Sequence, residues 1–194
     1  LAVLQGGVIR AIASGGGETP PDAREIELDD SGDVWITSSR GVYRFRGHRY
    51  DHFTTRDGLP NDSCWALLKS RDGSLWIGTD GGLVRYHRGH FTSLTTRDGL
   101  PDPFVRSLFE DRDGNLWVGT EDSGLTRIAN GRVETLGERE GLTQNHVRSI
   151  YEDREGNLWV GTNGGLNQLR DSKVTAYTSQ DGLSHDYARV ITET

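Results

Sequence analysis

Short runs in which apolar and polar residues alternate, broken by glycine turns, fill most of this chain, and one stretch shows the unit they build. Val105–Glu110 alternates and is rich in apolar residues, Asp111-Arg112-Asp113-Gly114 turns the chain, and Leu116–Thr120 follows as a second run. Glu121–Gly124 turns it back into Leu125–Ile128, and Asn130-Gly131 leads to Val133–Leu136. A two-residue period puts successive side chains on opposite faces of a strand, and Asp-Gly or Asn-Gly between such runs is the strongest short-range hairpin signal. The unit therefore predicts a four-stranded antiparallel meander. Helical spacing of apolar residues appears nowhere over a useful length.

The unit recurs. Trp35, Trp76, Trp117 and Trp159 are separated by 41, 41 and 42 residues. Asp72-Gly73-Ser74-Leu75-Trp76-Ile77-Gly78-Thr79 returns as Asp113–Thr120, as Glu155–Thr162 and, in worn form, as Ser31–Ser38. A second phrase keeps the same beat: Asp57-Gly58-Leu59, Asp98-Gly99-Leu100, Glu140-Gly141-Leu142 and Asp181-Gly182-Leu183. Four-stranded units at a period near forty are the mark of propeller blades, each burying its apolar face against its neighbours. First strands are expected near Arg24–Asp29, Cys64–Lys69, Val105–Glu110, Val147–Glu152 and Ala188–Glu193, and second strands from Leu1–Leu4 onward. This predicts an all-β fold, a single β-propeller domain over residues 1–194 with five blades, closed by Ala188–Glu193 pairing with Leu1–Leu4 so that no edge is left open. Residues 14–21 read as a loop. The chain opens with Leu1 in mid-repeat and has no methionine, as expected of a piece of a longer protein.

Composition narrows the functions. The 194 residues are only 33% hydrophobic and include 26 glycines, which suits many short strands and turns. A net charge of −7 gives no basic footprint for nucleic acid or an anionic membrane surface. Cys64 is the only cysteine, so there is no disulfide framework and no cysteine-based zinc site. No apolar run is long enough to span a bilayer.

The phrase Asp-Gly-Asn-Leu-Trp-Val-Gly-Thr, followed by Gly-Gly-Leu and later Asp-Gly-Leu-Pro, resembles the two-component regulator propeller repeat, over essentially Ala23–Thr194. The resemblance implies the extracytoplasmic sensor half of a hybrid histidine kinase or related regulator, periplasmic or extracellular. It also implies a small ligand, often a glycan breakdown product, on one face of the disc, and further signalling domains elsewhere in a longer protein. Such propellers typically have seven blades, and the five expected here depart from that pattern.

Candidate binding positions come from where the repeat varies. Six residues after each Asp or Glu of the Asp-Gly-Leu phrase lie Ser63, Phe104, His146 and Tyr187, four different chemistries just before a first strand. Eleven residues before each tryptophan lie Arg24, Trp65, Arg106 and Arg148, and Arg189 holds the corresponding place at the end of the chain. Guanidinium groups near the mouth of a central channel suit carboxylates, sulfates or phosphates. The competing expectation is that each arginine pairs with a carboxylate such as Glu110 or Glu152. The tryptophans are expected to pack between blades rather than to form a carbohydrate platform. Asp111-x-Asp113-Gly114-Asn115 looks like the start of a calcium loop but lacks the later bidentate carboxylate, so a plain turn is expected. The histidines show no metal spacing and no serine or cysteine sits in a nucleophile elbow, so neither a cofactor nor an enzyme is expected. The favoured function is a sensor module for a small anionic or sugar-derived ligand; the alternatives are a protein-interaction scaffold and a propeller lyase.

Overall fold

The computed structural model describes residues 19–170 and 173–191 in full, and the backbone of 2–5 and 8–11. Strands β1 (Ala2–Gln5) and β2 (Val8–Ala11) form an antiparallel hairpin. Four four-stranded antiparallel sheets follow, each a meander in chain order. The first comprises β3 (Ile26–Leu28), β4 (Val34–Ser38), β5 (Gly41–Arg46) and β6 (Arg49–Phe53). The second comprises β7 (Cys64–Lys69), β8 (Leu75–Thr79), β9 (Gly82–His87) and β10 (His90–Leu94). The third comprises β11 (Val105–Glu110), β12 (Leu116–Thr120), β13 (Leu125–Ala129) and β14 (Arg132–Leu136). The fourth comprises β15 (Val147–Glu152), β16 (Leu158–Thr162), β17 (Gly165–Arg170) and β18 (Lys173–Tyr177). Successive first strands β3, β7, β11 and β15 lie side by side, as the inner strands of propeller blades do.

Apolar residues from facing sheets fill each seam. Trp35 and Val42 meet Cys64, Leu75, Ile77 and Val84 in the first seam. Trp76 and Leu83 meet Val105, Leu116 and Val118 in the second, and Trp117 and Leu125 meet Val147, Leu158 and Val160 in the third. Trp35, Trp76 and Trp117 thus pack between blades, and three of the repeated tryptophans are also tied to an aspartate of their own turn. The Trp35, Trp117 and Trp159 indole nitrogens donate to Asp29, Asp111 and Asp153 at 2.9, 2.7 and 2.7 Å. Asp111, the first acid of the calcium-like phrase, is occupied further by the Asp113 and Asn115 amides.

The Asp-Gly-Leu phrase has a local cause. Its acid closes a one-turn 3-10 helix by accepting from the backbone N–H three residues earlier, as Asp57 does from Thr54 at 2.8 Å. Gly58 then takes a φ of 108°, a conformation side-chain-bearing residues rarely adopt. The leucine drops into the seam: Leu59, Leu100 and Leu142 are all buried, whereas Leu183 is half-exposed.

The five-bladed closure is not what the described residues form. Ala2–Gln5 pairs with Val8–Ala11, and no described residue of the expected closing strand Ala188–Glu193 pairs with it. Residues 187–191 form no strand, although the Ala188 amide donates to the Thr162 carbonyl at 2.9 Å. Residues 192–194, Leu1 and most of the expected loop 14–21 lie outside the described residues.

Candidate functional site

Three β-bulges shape the inner mouth. The ladder between the first two strands of a blade skips one residue between Cys64 and Ala66, between Val105 and Ser107, and between Val147 and Ser149. The skipped residues are Trp65, Arg106 and Arg148, the column that varies in the sequence. A bulge leaves its extra residue outside the pairing and re-aims its side chain. Arg24 precedes β3 and donates its amide to the Thr37 carbonyl at 3.0 Å, which places it at the corresponding position of the first blade.

The residues of this column do not share one fate. The Arg24 guanidinium lies 3.6 Å from the Trp65 ring centroid, and Arg106 lies 4.6 Å from the same ring. Arg24 also donates to the Ser63 hydroxyl at 3.2 Å and the Cys64 carbonyl at 3.1 Å, and pairs with Asp22 at 3.2 Å. Arg106 donates to Asp80 at 2.6 Å and to Glu121 through two nitrogens, one of them at 2.8 Å. Two carboxylates therefore neutralise one guanidinium. Arg148 is different: its Nε donates to the Asn163 side-chain oxygen at 2.9 Å, and among the described residues no carboxylate pairs with it.

The partners Asp80, Glu121 and Asn163 form a column of their own, the residue after each Gly-Thr. That column, and not Glu110 or Glu152, supplies the partners of Arg106 and Arg148, while Arg24 pairs with Asp22. Glu110 accepts from the Arg71 amide at 2.9 Å and Glu152 from the Arg112 amide at 2.8 Å. The variable loops are anchored beside this column. Asp102, buried, accepts from the Asp122 and Ser123 amides at 2.6 and 3.1 Å, fixing the loop of Phe104 against the turn of Glu121. Asn167 accepts from the Thr143 amide at 2.9 Å, fixing the loop of His146 against the fourth blade.

The structure thus brings Phe104, His146 and Tyr187 to the same mouth as the arginines. Phe104 is 5.5 Å from the Arg106 guanidinium and Tyr187 is 5.3 Å from Arg148. Both rings are substantially exposed. His146 is half-buried and its Nε2 has no hydrogen-bond partner. Burial and the Arg148 and Arg106 charges push its imidazole below the usual histidine range, against the opposing pull of Glu121 and Asp122. Ser63 is committed to Arg24, and Arg189 lies exposed in the irregular segment that follows Tyr187. Burial pushes the Cys64 thiol up to about 12, leaving it a packing residue. Groups of histidine, cysteine and carboxylates able to hold a metal are absent among the described residues.

Bladed sheets with inner strands side by side and a polar inner mouth define a β-propeller. The two-component regulator propeller model matches residues 58–81, 99–122 and 141–164, each running from the glycine of an Asp-Gly-Leu or Glu-Gly-Leu phrase through the tryptophan strand. The chain therefore carries three two-component regulator propeller repeats. It is similar in fold to the extracellular domain of a protein assigned as a hybrid two-component system of B. thetaiotaomicron, with 23% identity and a TM-score of 0.77 over 86% of this chain and 24% of that one. A second such extracellular domain from the same organism matches at 21% identity and a TM-score of 0.65, over 81% of this chain and 24% of that one. Virginiamycin B lyase from Staphylococcus aureus shares the fold at 15% identity and a TM-score of 0.65, over 82% of this chain and 57% of that one. The chain spans about a quarter of the length of the two extracellular domains. No curated protein sequence matches it.

Proposed function

We propose that this chain is an extracytoplasmic sensor module that binds a small anionic molecule, such as an acidic or sulfated sugar, at the inner mouth where the third and fourth blades meet. The carrying observation is Arg148. Arg24 and Arg106 have their charge balanced by Asp22, Asp80 and Glu121, while the Arg148 guanidinium faces a neutral asparagine. An uncompensated cation beside an exposed tyrosine and an imidazole offers charge-assisted hydrogen bonds and a flat apolar surface together. Extracellular domains of two-component systems share the fold, which supports the location and the sensing role. The exposed Phe104, Tyr187 and Val190 favour a protein partner as the second reading, to which a co-purifying chain would point.

Isothermal calorimetry of neutral and anionic oligosaccharides against the wild type and Arg148→Ala tests the proposal. Losing one charge-assisted hydrogen bond typically costs about 1.5–3 kcal/mol, so the variant should bind anionic members roughly ten-fold to a hundred-fold more weakly. Equal affinity for neutral and charged members, unchanged in Arg148→Ala, would overturn it.

A further inference from the structure

The seam between the third and fourth blades holds a groove of about 570 Å³. That volume lies within the range of small-molecule sites, roughly 300–1,000 Å³. Trp117, Leu136, Leu169 and Val174, all half-buried, give it an apolar wall. Its charge is one-sided: Asp111, Asp113, Glu134, Glu140 and Glu152 line it, against Arg127 and Arg170.

The repeat locates the surplus. In the first blade the arginine beside the tryptophan, Arg44, is held at 2.6 Å by Asp51 on the fourth strand, and the turn position holds Ser31. In the second blade its counterpart Arg85 is held at 2.6 Å by Asp72 on the turn, and the fourth-strand position holds Thr92. At these two positions each blade sets one acid against one arginine. The third blade has both acids, Asp113 on the turn and Glu134 on the fourth strand, but again a single arginine, Arg127. Arg127 comes within 3.8 Å of Glu134, and among the described residues no basic side chain pairs with Asp113. The other acids are engaged: Asp111 by Trp117, Glu140 by the Gly137 amide and Glu152 by Arg112. Asp113 and Glu134 are exposed and open to a ligand. A carboxylate pair beside an apolar wall attracts a cation more strongly than it would in open water, and repels an anion.

We propose that this groove binds a small amphiphilic amine, its ammonium donating to Asp113 and Glu134 and its apolar body lying against Trp117, Leu136, Leu169 and Val174. An ammonium has three N–H donors and no acceptor, which matches two carboxylates that lack a full counter-charge. The site is separate from the inner mouth, takes the opposite charge and does not depend on Arg148.

The test separates charge from apolar contact. Phenethylamine, its neutral analogue phenethyl alcohol, its anionic analogue hydrocinnamate and the bare cation methylamine are titrated at millimolar concentration, following amide NMR shifts. The proteins are the wild type, Asp113→Asn/Glu134→Gln, Arg148→Ala and Asp30→Asn, the last removing an exposed acid of the first seam. Phenethylamine should bind the wild type, with the alcohol, the acid and methylamine each weaker by about ten-fold or more. Its affinity should fall by a similar factor in Asp113→Asn/Glu134→Gln and stay unchanged in Arg148→Ala and Asp30→Asn. The four probes on the wild type keep the proposal testable if the double variant does not fold. Failure of phenethylamine to bind, equal or stronger binding of the alcohol, the acid or methylamine, or unchanged affinity in a folded double variant would overturn it. So would an equal loss in Asp30→Asn, which would reduce the effect to net charge.

Discussion

One residue type can serve two purposes in a repeat, and its neighbours decide which. Trp35 and Trp117 occupy the same column, yet one is sealed by Phe53 and Tyr86 and the other borders a groove. The arginine column divides in the same way, because the residue after Gly-Thr is Asp80, Glu121 or Asn163. Those partners were present in the sequence as a column, but pairing across blades becomes visible only once the bulges fix which residues face each other. His146 carries a prediction at this scale. Its folded-state pKa lies below the usual 6.5, so the imidazole is neutral at pH 7 and gains a positive charge as pH falls through that lowered value. A bound anion would favour the charged form. Anion affinity should therefore rise as pH falls toward that lowered value, and His146→Gln should flatten this rise; a pH series of calorimetric titrations on both proteins checks it. Identical pH profiles for the two would separate His146 from the ligand.

At the scale of strands and turns, most of the architecture was legible. Alternation fixed the strands, and Gly-based turns fixed their ends, because a strand period and a left-handed turn each leave a local mark on residue choice. The bulges at Trp65, Arg106 and Arg148 left none, since a register shift is a property of two strands at once. The contacts between the outer turns were also hidden. Arg112 donates its amide to Glu152 at 2.8 Å and pairs with the same carboxylate at 2.6 Å, and Glu152 is largely buried. In the first seam the polarity is reversed, with Lys69 on the strand and Asp30 on the turn, and Asp30 is open to solvent. A hydrogen bond to a shielded carboxylate is worth about 1.5–3 kcal/mol, whereas an exposed pair contributes roughly 0–1 kcal/mol. Glu152→Ala should thus lower stability clearly more than Lys69→Ala in urea denaturation. Equal losses would mean that the third seam owes nothing to this carboxylate.

For the whole molecule, counting phrases and counting sheets give different answers. Five first strands are expected from the sequence, while the described residues form four complete four-stranded sheets. The segment after Tyr187 explains the discrepancy. Ala188 lies against Gly161 much as Val147 lies against Gly119 and Val105 against Gly78, so the repeat's packing continues where its ladder does not. Those three glycines recur in the phrase where the next blade's chain comes close: a Cβ on Gly119 would meet the Ser107 hydroxyl of its own blade and Val147 Cγ1 of the next, the latter at 2.6 Å. In a repeat array, stability is approximately a sum of unit terms and nearest-neighbour interfaces. Gly119→Ala places its strain, typically about 1–3 kcal/mol for overpacking, on the interface between the third and fourth blades. If the blades form one cooperative domain, the wild type should unfold in a single step, with fluorescence and far-UV circular dichroism coincident. Gly119→Ala should weaken one coupling and let the fourth blade, which carries Trp159, come apart before the rest. The two probes would then separate. A variant that still unfolds in one step at the wild-type midpoint would show that the inner strands have enough slack to absorb a methyl group, and that close approach is not what requires glycine there.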